Sequence, residues 1–501
     1  MRTLRSRTGL VAVVLGVVGA LLAPSAASAT SPGQTRTPIE HFIFLMQGDR
    51  SFDNYFGTFP GADGIPQDVC MPRVLGGDES DCVKPFPLHG TAVERLGASE
   101  SVLAHQVNNG RMDGFVDAYR RQGRDGTSAM GYYDERDLAT YWDIARQYVL
   151  FDRFFSSTPQ GIRVNRSYWV AAAPPGTDPS DPGAYGDQLT IFDQLTAAGV
   201  SWKFYVENYD PTETYRAATD TDPASQTVRV PLLNYARFLD DPALRANIVD
   251  LDEYYRDLEQ GTLPAVAYVA TSGANERSAG SMAAGQKLVR TMLNRLMLSR
   301  YWESSAFLWS YDGSGGWYDH VVPPVIDGVP AGLRVPAVLV SPYARRGHID
   351  HTQLDYTSAL KFIEYNWDLP PLTSRDATAE SISGAFDFTA PPRAPRIIGN
   401  GPAVPELPTG NTAMIYGWYG GALVFAASLL AVAAYRSRPA VAADRPRPAV
   451  AAHRSRAPEE QPRRKPSART GPFIARSPLV DKADRVPLAD KVNRVPQGVN
   501  R

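Results

Sequence analysis

The chain has 501 residues, of which 43% are hydrophobic and 21% charged, a composition typical of globular proteins and not of disordered or fibrous ones. The formal net charge of −2 is the sum of a basic C-terminal segment and an acidic body. Residues 436–501 hold 16 basic and six acidic residues, whereas residues 30–435 hold 32 basic and 47 acidic ones. This acidic body excludes a nucleic-acid-binding core, which requires a basic surface, so we expect no nucleic-acid partner.

The N-terminus has the pattern of a secretory signal peptide. Three arginines within the first seven residues precede an uninterrupted apolar stretch at residues 9–22, and Ala-Ser-Ala at residues 27–29 supplies a small-residue cleavage site. We therefore predict a signal peptide over residues 1–29. An uncleaved N-terminal anchor is the alternative.

Residues 30–390 have the pattern of one large α/β domain. Short runs that are apolar throughout favour strands buried on both faces of a mostly parallel sheet, and they lie at residues 42–46, 265–269, 306–309 and 335–340. Helical periodicity occurs at residues 137–148, 285–298 and 357–365, the last with Thr357 and Ser358 as candidate N-caps. This alternation predicts a three-layer α/β/α sandwich, with helices on both sides of the sheet.

The two cysteines, Cys70 and Cys82, lie on the exported side of the predicted topology. An oxidising environment favours one disulfide between them, which would stabilise their Gly- and Pro-rich loop by roughly 3 kcal/mol. Two cysteines alone do not make a zinc site.

The C-terminal part predicts a membrane anchor. A Pro- and Gly-rich linker at residues 391–413 leads to residues 414–435, which carry no charge, have aromatic residues at both ends and are long enough to cross a bilayer. Arg436 and Arg438 follow at once, so the positive-inside rule places this end in the cytoplasm and the large domain outside. We therefore predict a single-pass protein of the cell membrane; a buried core helix is the alternative.

Residues 436–501 are rich in Arg, Pro and Ala and cannot bury a core, so we expect a disordered cytoplasmic tail. Its first part either lies on anionic lipid headgroups or forms a solvated flank of the membrane span.

Acidic side chains follow two of the predicted strands. Asp49 comes shortly after residues 42–46, and Asp312 comes shortly after residues 306–309. Ligands of open α/β sheets bind beyond the carboxyl ends of strands, and carboxylates there could hold a hard divalent cation. The alternative is that these aspartates only cap turns and helices. A further polar cluster at residues 348–351 is interpreted as a surface loop, with a metal site as the alternative.

Several motifs occur together across about residues 38–390: residues 49–58 (DRSFDNYFGT), 109–115 (NGRMDGF), 130–133 (MGYY) with 137–138 (DL), 165–168 (NRSY), 315–321 (GGWYDHV) and 335–343 (VPAVLVSPY). In content and order they resemble the bacterial phosphoesterase family, which includes non-haemolytic phospholipases C and a metal-dependent acid phosphatase. The resemblance implies an alkaline-phosphatase-like fold and hydrolysis of phosphate esters. It also implies a divalent metal as cofactor, and a phosphate ester or phospholipid headgroup as partner.

The sequence departs from the family pattern at the catalytic positions. The resemblance implies Glu and Asn as metal ligands where this chain has Gly48 and Asp49, and a Ser or Thr nucleophile where it has Ile162. The family has an acid and two histidines at three further positions, which here are Gly313, Arg277 and Tyr356. Isoleucine has no hydroxyl group and cannot attack phosphorus, so we expect impaired catalysis.

The hypothesis that we favour is a non-catalytic homologue, which keeps the fold as a binding or scaffold module at the cell surface and needs no metal. In this hypothesis Arg50, Arg163 and Arg277 bind an anion, since guanidinium groups suit phosphate. Asp319 and His320 either contact the ligand or support their own loop.

The alternative hypothesis is an active phosphoesterase with a substitute nucleophile. Ser157 and Thr158 are then the candidates, together with Ser156, because the alignment through this loop could shift. Asp49 and Asp312 would be the residual metal ligands.

Overall fold

The computed structural model describes residues 34–89, 96–97, 99–177, 183–217, 225–277 and 281–399. The predicted signal peptide, membrane span and basic tail, and the linker beyond residue 399, lie outside the described residues. Within the part described, none of the helices combines the length and the apolar character that crossing a membrane requires.

An eight-stranded mixed sheet forms the centre of the domain. In chain order its strands are β1 His41–Gln47, β2 Val149–Phe151, β3 Trp202–Val206, β4 Ile248–Asp250, β5 Val266–Ala270, β6 Ser305–Tyr311, β7 Ala337–Val340 and β8 His348–Asp350. They lie side by side in the order β8-β2-β7-β6-β1-β5-β3-β4. All neighbours pair in parallel except at β7, which runs antiparallel to both β6 and β2. The predicted strands are therefore present, and the pairing is mostly parallel.

The described helices connect these strands. In chain order they are α1 Phe52–Phe56, α2 Glu100–Val107, α3 Phe115–Arg120, α4 Ala139–Gln147, α5 Ile162–Ala171, α6 Ile191–Ala197, α7 Gln226–Arg229, α8 Ala236–Asp240, α9 Pro242–Arg245, α10 Asp252–Gln260, α11 Met282–Met297, α12 Tyr356–Asn366 and α13 Ser374–Thr378. The helices predicted at residues 137–148, 285–298 and 357–365 correspond to α4, α11 and α12.

One face of the sheet is covered by α5 and α12. The ring of Phe44 on β1 lies 5.6 Å from that of Trp169 on α5, and Trp169 lies 4.7 Å from Tyr268 on β5. Phe42 points to the same side as Phe44 and lies 5.4 Å from Phe362 on α12. All these aromatic side chains are buried, so this layer is part of the core.

The opposite face is covered by α4 and α10. Leu45 of β1 pairs with Trp309 of β6, whose ring lies 5.5 Å from Tyr141 on α4. Tyr205 of β3 points to the same side and lies 5.6 Å from Tyr254 on α10. Helices therefore lie against both faces of the sheet, and the α/β prediction is confirmed.

Two local predictions were wrong. Helix α12 is capped by Asp355, not by Thr357 or Ser358: the Asp355 carboxylate accepts from the backbone N–H of Thr357, and the Asp355 N–H donates to the Ser358 hydroxyl, which forms a capping box. The polar residues His348 to Asp350 form the edge strand β8 rather than a loop, because their backbone pairs with β2.

The predicted disulfide is present. Cys70 and Cys82 are bonded across a sequence separation of 12, with their Cα atoms 5.3 Å apart. The cysteines flank a short antiparallel ribbon in which Met71 pairs with Val83 and Pro72 with Cys82. The bond therefore holds a segment with little regular structure of its own.

Candidate functional site

Asp49 and Asp312 meet at one edge of the central sheet. Strands β1 and β6 are parallel neighbours that end together at the paired residues Gln47 and Tyr311, so the residues after them emerge at the same place. The backbone N–H of Asp49 donates to Oδ1 of Asp312 at 3.2 Å. Asp49 has a left-handed backbone (φ 57°), which turns the chain back towards Asp312.

A cleft opens beside these two carboxylates. Its empty volume, including its mouth, is about 520 Å³, and Asp49, Asp312, Thr158, Ile162 and Asn165 are among the residues that line it. Ile162 is the first residue of α5, and no side chain caps that helix at Gly161. The cleft thus combines two acidic side chains with the uncapped N-terminus of a ten-residue helix.

Two arginines hold Asp312. Oδ2 of Asp312 accepts from Nε and Nη2 of Arg166 at 3.0 and 2.8 Å, and from Nη2 of Arg277 at 2.5 Å. Nη1 of Arg277 also lies 3.4 Å from Oδ2 of Asp49. All four side chains are buried. Burial, followed by the charge of Arg166, lowers the pKa of the nearby Arg229 to about 10.

This arrangement does not fit a divalent cation between Asp49 and Asp312. Magnesium and calcium ions take about six or more oxygen ligands, whereas the oxygens of Asp312 already accept from two guanidinium groups and a backbone N–H. A metal ion at this place would also lie against the positive charge of Arg277.

The loop before α5 holds the three candidate hydroxyl groups differently. Ser156 lines the cleft and its hydroxyl donates to the Leu333 carbonyl at 3.2 Å, whereas Ser157 is fully buried and does not line it. Thr158 does line the cleft, and its Oγ1 accepts from the N–H of Gln160 at 3.3 Å. The side chain of Asn165 fixes the Thr158 backbone through two 3.1 Å hydrogen bonds.

None of the three arginines predicted to bind an anion lines this cleft, and two of them also lie away from its carboxylates. Arg50 is buried, donates to the Tyr55 hydroxyl at 3.0 Å and to the Glu276 carbonyl at 2.5 Å, and lies over the Trp317 ring. Arg163, on the first turn of α5, donates to the hydroxyl of Tyr185 at 2.7 Å and to the side chain of Asn234 at 3.1 Å. The structure thus places Arg277, and not Arg50 or Arg163, beside Asp49 and Asp312.

Asp319 and His320 belong to a separate buried network. Arg334 donates to Asp319 at 2.9 Å and to Asp53 at 3.0 Å, and the other Asp53 oxygen lies 2.8 Å from Nδ1 of His320. Burial raises the pKa of Asp319. Burial alone would lower the pKa of His320, but the hydrogen bond with Asp53 outweighs it and the pKa is raised. Neither residue lines the cleft beside Asp49 and Asp312.

Among the described residues, two clusters bring together groups that could hold a metal ion. Asp53, Asp319 and His320 form one, and His89, Asp134 and Asp137 form the other. In the first cluster, Arg334 pairs with both carboxylates, and in the second, Asp134 is paired with Arg136 at 2.7 Å.

Sequence reasoning missed a buried carboxyl group at Glu276, beside Arg277. Hydroxyl groups from three separate elements donate to it: Tyr55 at 2.7 Å, Tyr311 at 3.0 Å and Tyr141 through a short hydrogen bond. Burial raises the pKa of Glu276 to about 7, against the opposing effect of these hydrogen bonds. No local sequence pattern predicts this cluster, because Glu276 and the three tyrosines lie far apart along the chain.

The comparison with protein-family models finds the phosphoesterase family over residues 39–370. Phospholipase C A of Mycobacterium tuberculosis is 29% identical over 77% of this chain and 85% of its own length. Non-haemolytic phospholipase C of Pseudomonas aeruginosa is 24% identical over 81% and 65%, and non-specific phospholipase C4 of Arabidopsis thaliana 25% identical over 73% and 74%.

Among solved structures, a protein of the alkaline phosphatase superfamily from Vibrio parahaemolyticus matches 70% of this chain and 71% of its own. The TM-score is 0.34 and the sequence identity 10%. So low a score carries no argument about the fold, and the likeness to alkaline phosphatase stays a prediction.

Proposed function

This chain belongs to the phosphoesterase family, and on that premise we propose that it binds a phosphate ester in the cleft beside Asp49 and Asp312 but has lost most of the family's hydrolytic power. The observation that carries the proposal is Ile162. It lines the cleft as the first residue of α5, at the position where the family resemblance places the attacking hydroxyl group. The isoleucine side chain has no nucleophilic atom and cannot form a covalent phosphoryl intermediate, and loss of a nucleophile costs on the order of 10⁶ in rate.

The charges around the cleft support a binding role. Arg166 and Arg277 neutralise the two carboxylates, and Arg229 adds a further positive charge nearby. An anionic phosphate would therefore meet two carboxylates that are already paired with arginines. Guanidinium groups also match the geometry of phosphate oxygens.

The N-terminus of α5 supplies a second source of attraction for an anion. Its first N–H groups have no intrahelical acceptor, no side chain caps them, and Gly161 and Ile162 line the cleft. The relatives are named phospholipases C, so the ligand class that we propose is a phosphate ester, including the headgroup of a phospholipid.

One observation favours an active enzyme as the second candidate. Thr158 lines the same cleft as Asp49 and Asp312, so a hydroxyl group and two carboxylates do face one space. In that case Thr158 would attack phosphorus, and a metal ion would have to displace Arg277 from the carboxylates.

Hydrolysis and binding assays on the full-length chain separate the two candidates. The substrates are 4-nitrophenyl phosphate and a chromogenic phosphatidylcholine analogue, with Mn²⁺ or Ca²⁺ present. We expect the wild-type chain to hydrolyse them no faster than the Asp312→Asn variant does. We expect phosphocholine to raise the unfolding temperature of the wild-type chain.

Three single substitutions then assign the chemistry. Metal-dependent turnover that is lost in Thr158→Val and kept in Ser157→Ala, a residue that does not line the cleft, would replace the binding proposal by the enzyme one. Ile162→Ser places a hydroxyl group at the first residue of α5. A gain in the rate of hydrolysis would show that this position can hold the nucleophile. Absence of stabilisation by phosphocholine and by inorganic phosphate would remove the binding role.

We also propose that residues 414–435 anchor the chain in the cell membrane with the large domain outside. The Cys70–Cys82 disulfide supports this topology, because such bonds persist in oxidising compartments. Protease added to intact cells should degrade the domain and leave a protected C-terminal fragment. Recovery of the intact chain in the soluble fraction would contradict the anchor.

A further inference from the structure

Arg277 lies between two carboxylates that come from different strand ends. Its Nη2 is 2.5 Å from Oδ2 of Asp312, and its Nη1 is 3.4 Å from Oδ2 of Asp49. Asp312 is fully buried, and Asp49 and Arg277 are nearly so. Two carboxylates held this close in a buried site repel each other unless a positive charge lies between them.

Arg166 also binds Asp312, but its position is fixed from elsewhere. It projects from α5 and donates in addition to the Arg229 carbonyl at 3.2 Å and the Met46 carbonyl at 3.4 Å. Of the two arginines on Asp312, Arg277 is therefore the one that also reaches Asp49.

Gly48 provides the room that Arg277 needs. A Cβ atom at position 48 would lie 2.5 Å from Nε and 2.8 Å from Cγ of Arg277, distances that real Cβ atoms do not show. Because Cγ is near the root of the side chain, a small rotation of the guanidinium group would not relieve the contact. Any side chain at position 48 thus competes with Arg277 for the same space.

We propose that Arg277 is a built-in cation that takes the place of a divalent metal ion between Asp49 and Asp312, and that Gly48 is present because this arginine requires it. The inference deepens the proposed function: the site receives its anionic phosphate without any metal, and its ligand binding is insensitive to chelators. A metal ion supplies positive charge only while it is bound, whereas the charge of Arg277 is part of the chain and is always present.

Manganese binding to the full-length chain tests the inference. Equilibrium dialysis, or the electron paramagnetic resonance signal of free Mn²⁺, counts the ions bound per chain. We expect wild type and Asp312→Asn to bind the same number, since Asp312 holds no ion while Arg277 is present. Arg277→Met, which removes the charge and keeps the length, should gain one ion per chain, and adding Asp312→Asn should abolish that gain.

Charge and size are separated by a matched variant. Arg277→Lys keeps the positive charge and should gain no ion. A gain in Arg277→Lys equal to that in Arg277→Met, or no gain in an Arg277→Met chain with native circular dichroism, would overturn the inference. If Arg277→Met does not fold, the wild-type chain decides alone: Asp312-dependent Mn²⁺ binding, or loss of phosphate stabilisation in EDTA, would overturn it.

The role of Gly48 has its own control in the same cleft. Gly48→Ala should lower the unfolding temperature in the wild-type background and much less in the Arg277→Ala background, because the clash then disappears. At Gly313 a Cβ atom would meet only Asp49 Oδ1 at 3.9 Å, so Gly313→Ala should have a similar small effect in both backgrounds. Equal losses for Gly48→Ala in both backgrounds would contradict the coupling.

These outcomes are distinct from those of the proposed function. Fast hydrolysis that is unaffected by EDTA would contradict the proposed loss of catalysis but would agree with Arg277 as the built-in cation. Asp312-dependent Mn²⁺ binding without hydrolysis would contradict the built-in cation but would agree with the proposed loss of catalysis.

Discussion

Replacing Glu276 with glutamine removes one carboxyl group from the buried cluster next to Arg277. The carboxyl group is fully buried and accepts hydrogen bonds from Tyr55, Tyr141 and Tyr311. The charged group that faces it is Arg50, which donates to the Glu276 carbonyl and to the Tyr55 hydroxyl. Glutamine has nearly the same shape but does not titrate, so the variant isolates the effect of ionisation.

The size and sign of the effect follow from the pKa of Glu276. Burial raises it from the ordinary value of 4.5 to about 7, so the folded state retains the proton after the unfolded chain has released it. The stabilising contribution is therefore complete below pH 4.5 and is lost as the pH rises through 7. At about 1.4 kcal/mol per pH unit over this window, the loss is on the order of 3 kcal/mol.

Urea unfolding of wild type and Glu276→Gln at a series of pH values from 4.5 to 8 measures this loss. The difference in free energy of unfolding between the two chains should shift by about 3 kcal/mol in favour of the variant as the pH rises. Titrations elsewhere in the chain cancel in the difference. A difference that stays constant over this range would refute the reasoning, because Glu276 would then have the same pKa folded and unfolded.

The same substitution at an exposed glutamate is the control. Glu135 lies at the surface and pairs with Arg146 at 2.5 Å, and this hydrogen bond lowers its pKa. Its stabilising contribution is present above its unfolded pKa and is lost as the pH falls. Glu135→Gln should therefore show a smaller pH dependence of opposite sign.

Three further predictions concern stability, and urea unfolding at neutral pH checks each of them. Arg334→Met should destabilise the fold by about 3–5 kcal/mol, because Asp319 would remain a buried charge without its arginine partner and Asp53 would keep only His320; a loss below 1 kcal/mol would contradict the role of these ion pairs. Cys82→Ser should cost about 3 kcal/mol by the loop-closure model, and an unchanged midpoint would show that the loop is held by other contacts. Trp169→Ala should cost about 3–5 kcal/mol through the cavity left against the sheet, and a surface-like loss below 0.5 kcal/mol would contradict its burial.

The sequence alone determined the main strands and the fold class. Strands β1, β5 and β6 are continuous apolar runs, and such runs mark strands that are buried on both faces whatever their neighbours are. The same reasoning missed β2, β4 and β8, each three residues long, because so short a run has no periodicity, and it missed β3, whose apolar run Lys203 interrupts. Strand β8 is also polar, since it lies at the edge of the sheet.

The sequence also placed Asp49 and Asp312 at one site, because the carboxyl ends of parallel strands share an edge. What holds the two carboxylates was decided by the tertiary structure. Arg277 reaches Asp312 across 35 positions of the chain and fits only because residue 48 has no side chain. The tyrosines around Glu276 likewise come from elements up to 221 residues away from it. The local pattern of apolar and polar residues predicts which segments are buried and whether they form helices or strands. Charge pairing instead depends on distances between side chains in space, and these are set only when distant segments pack together.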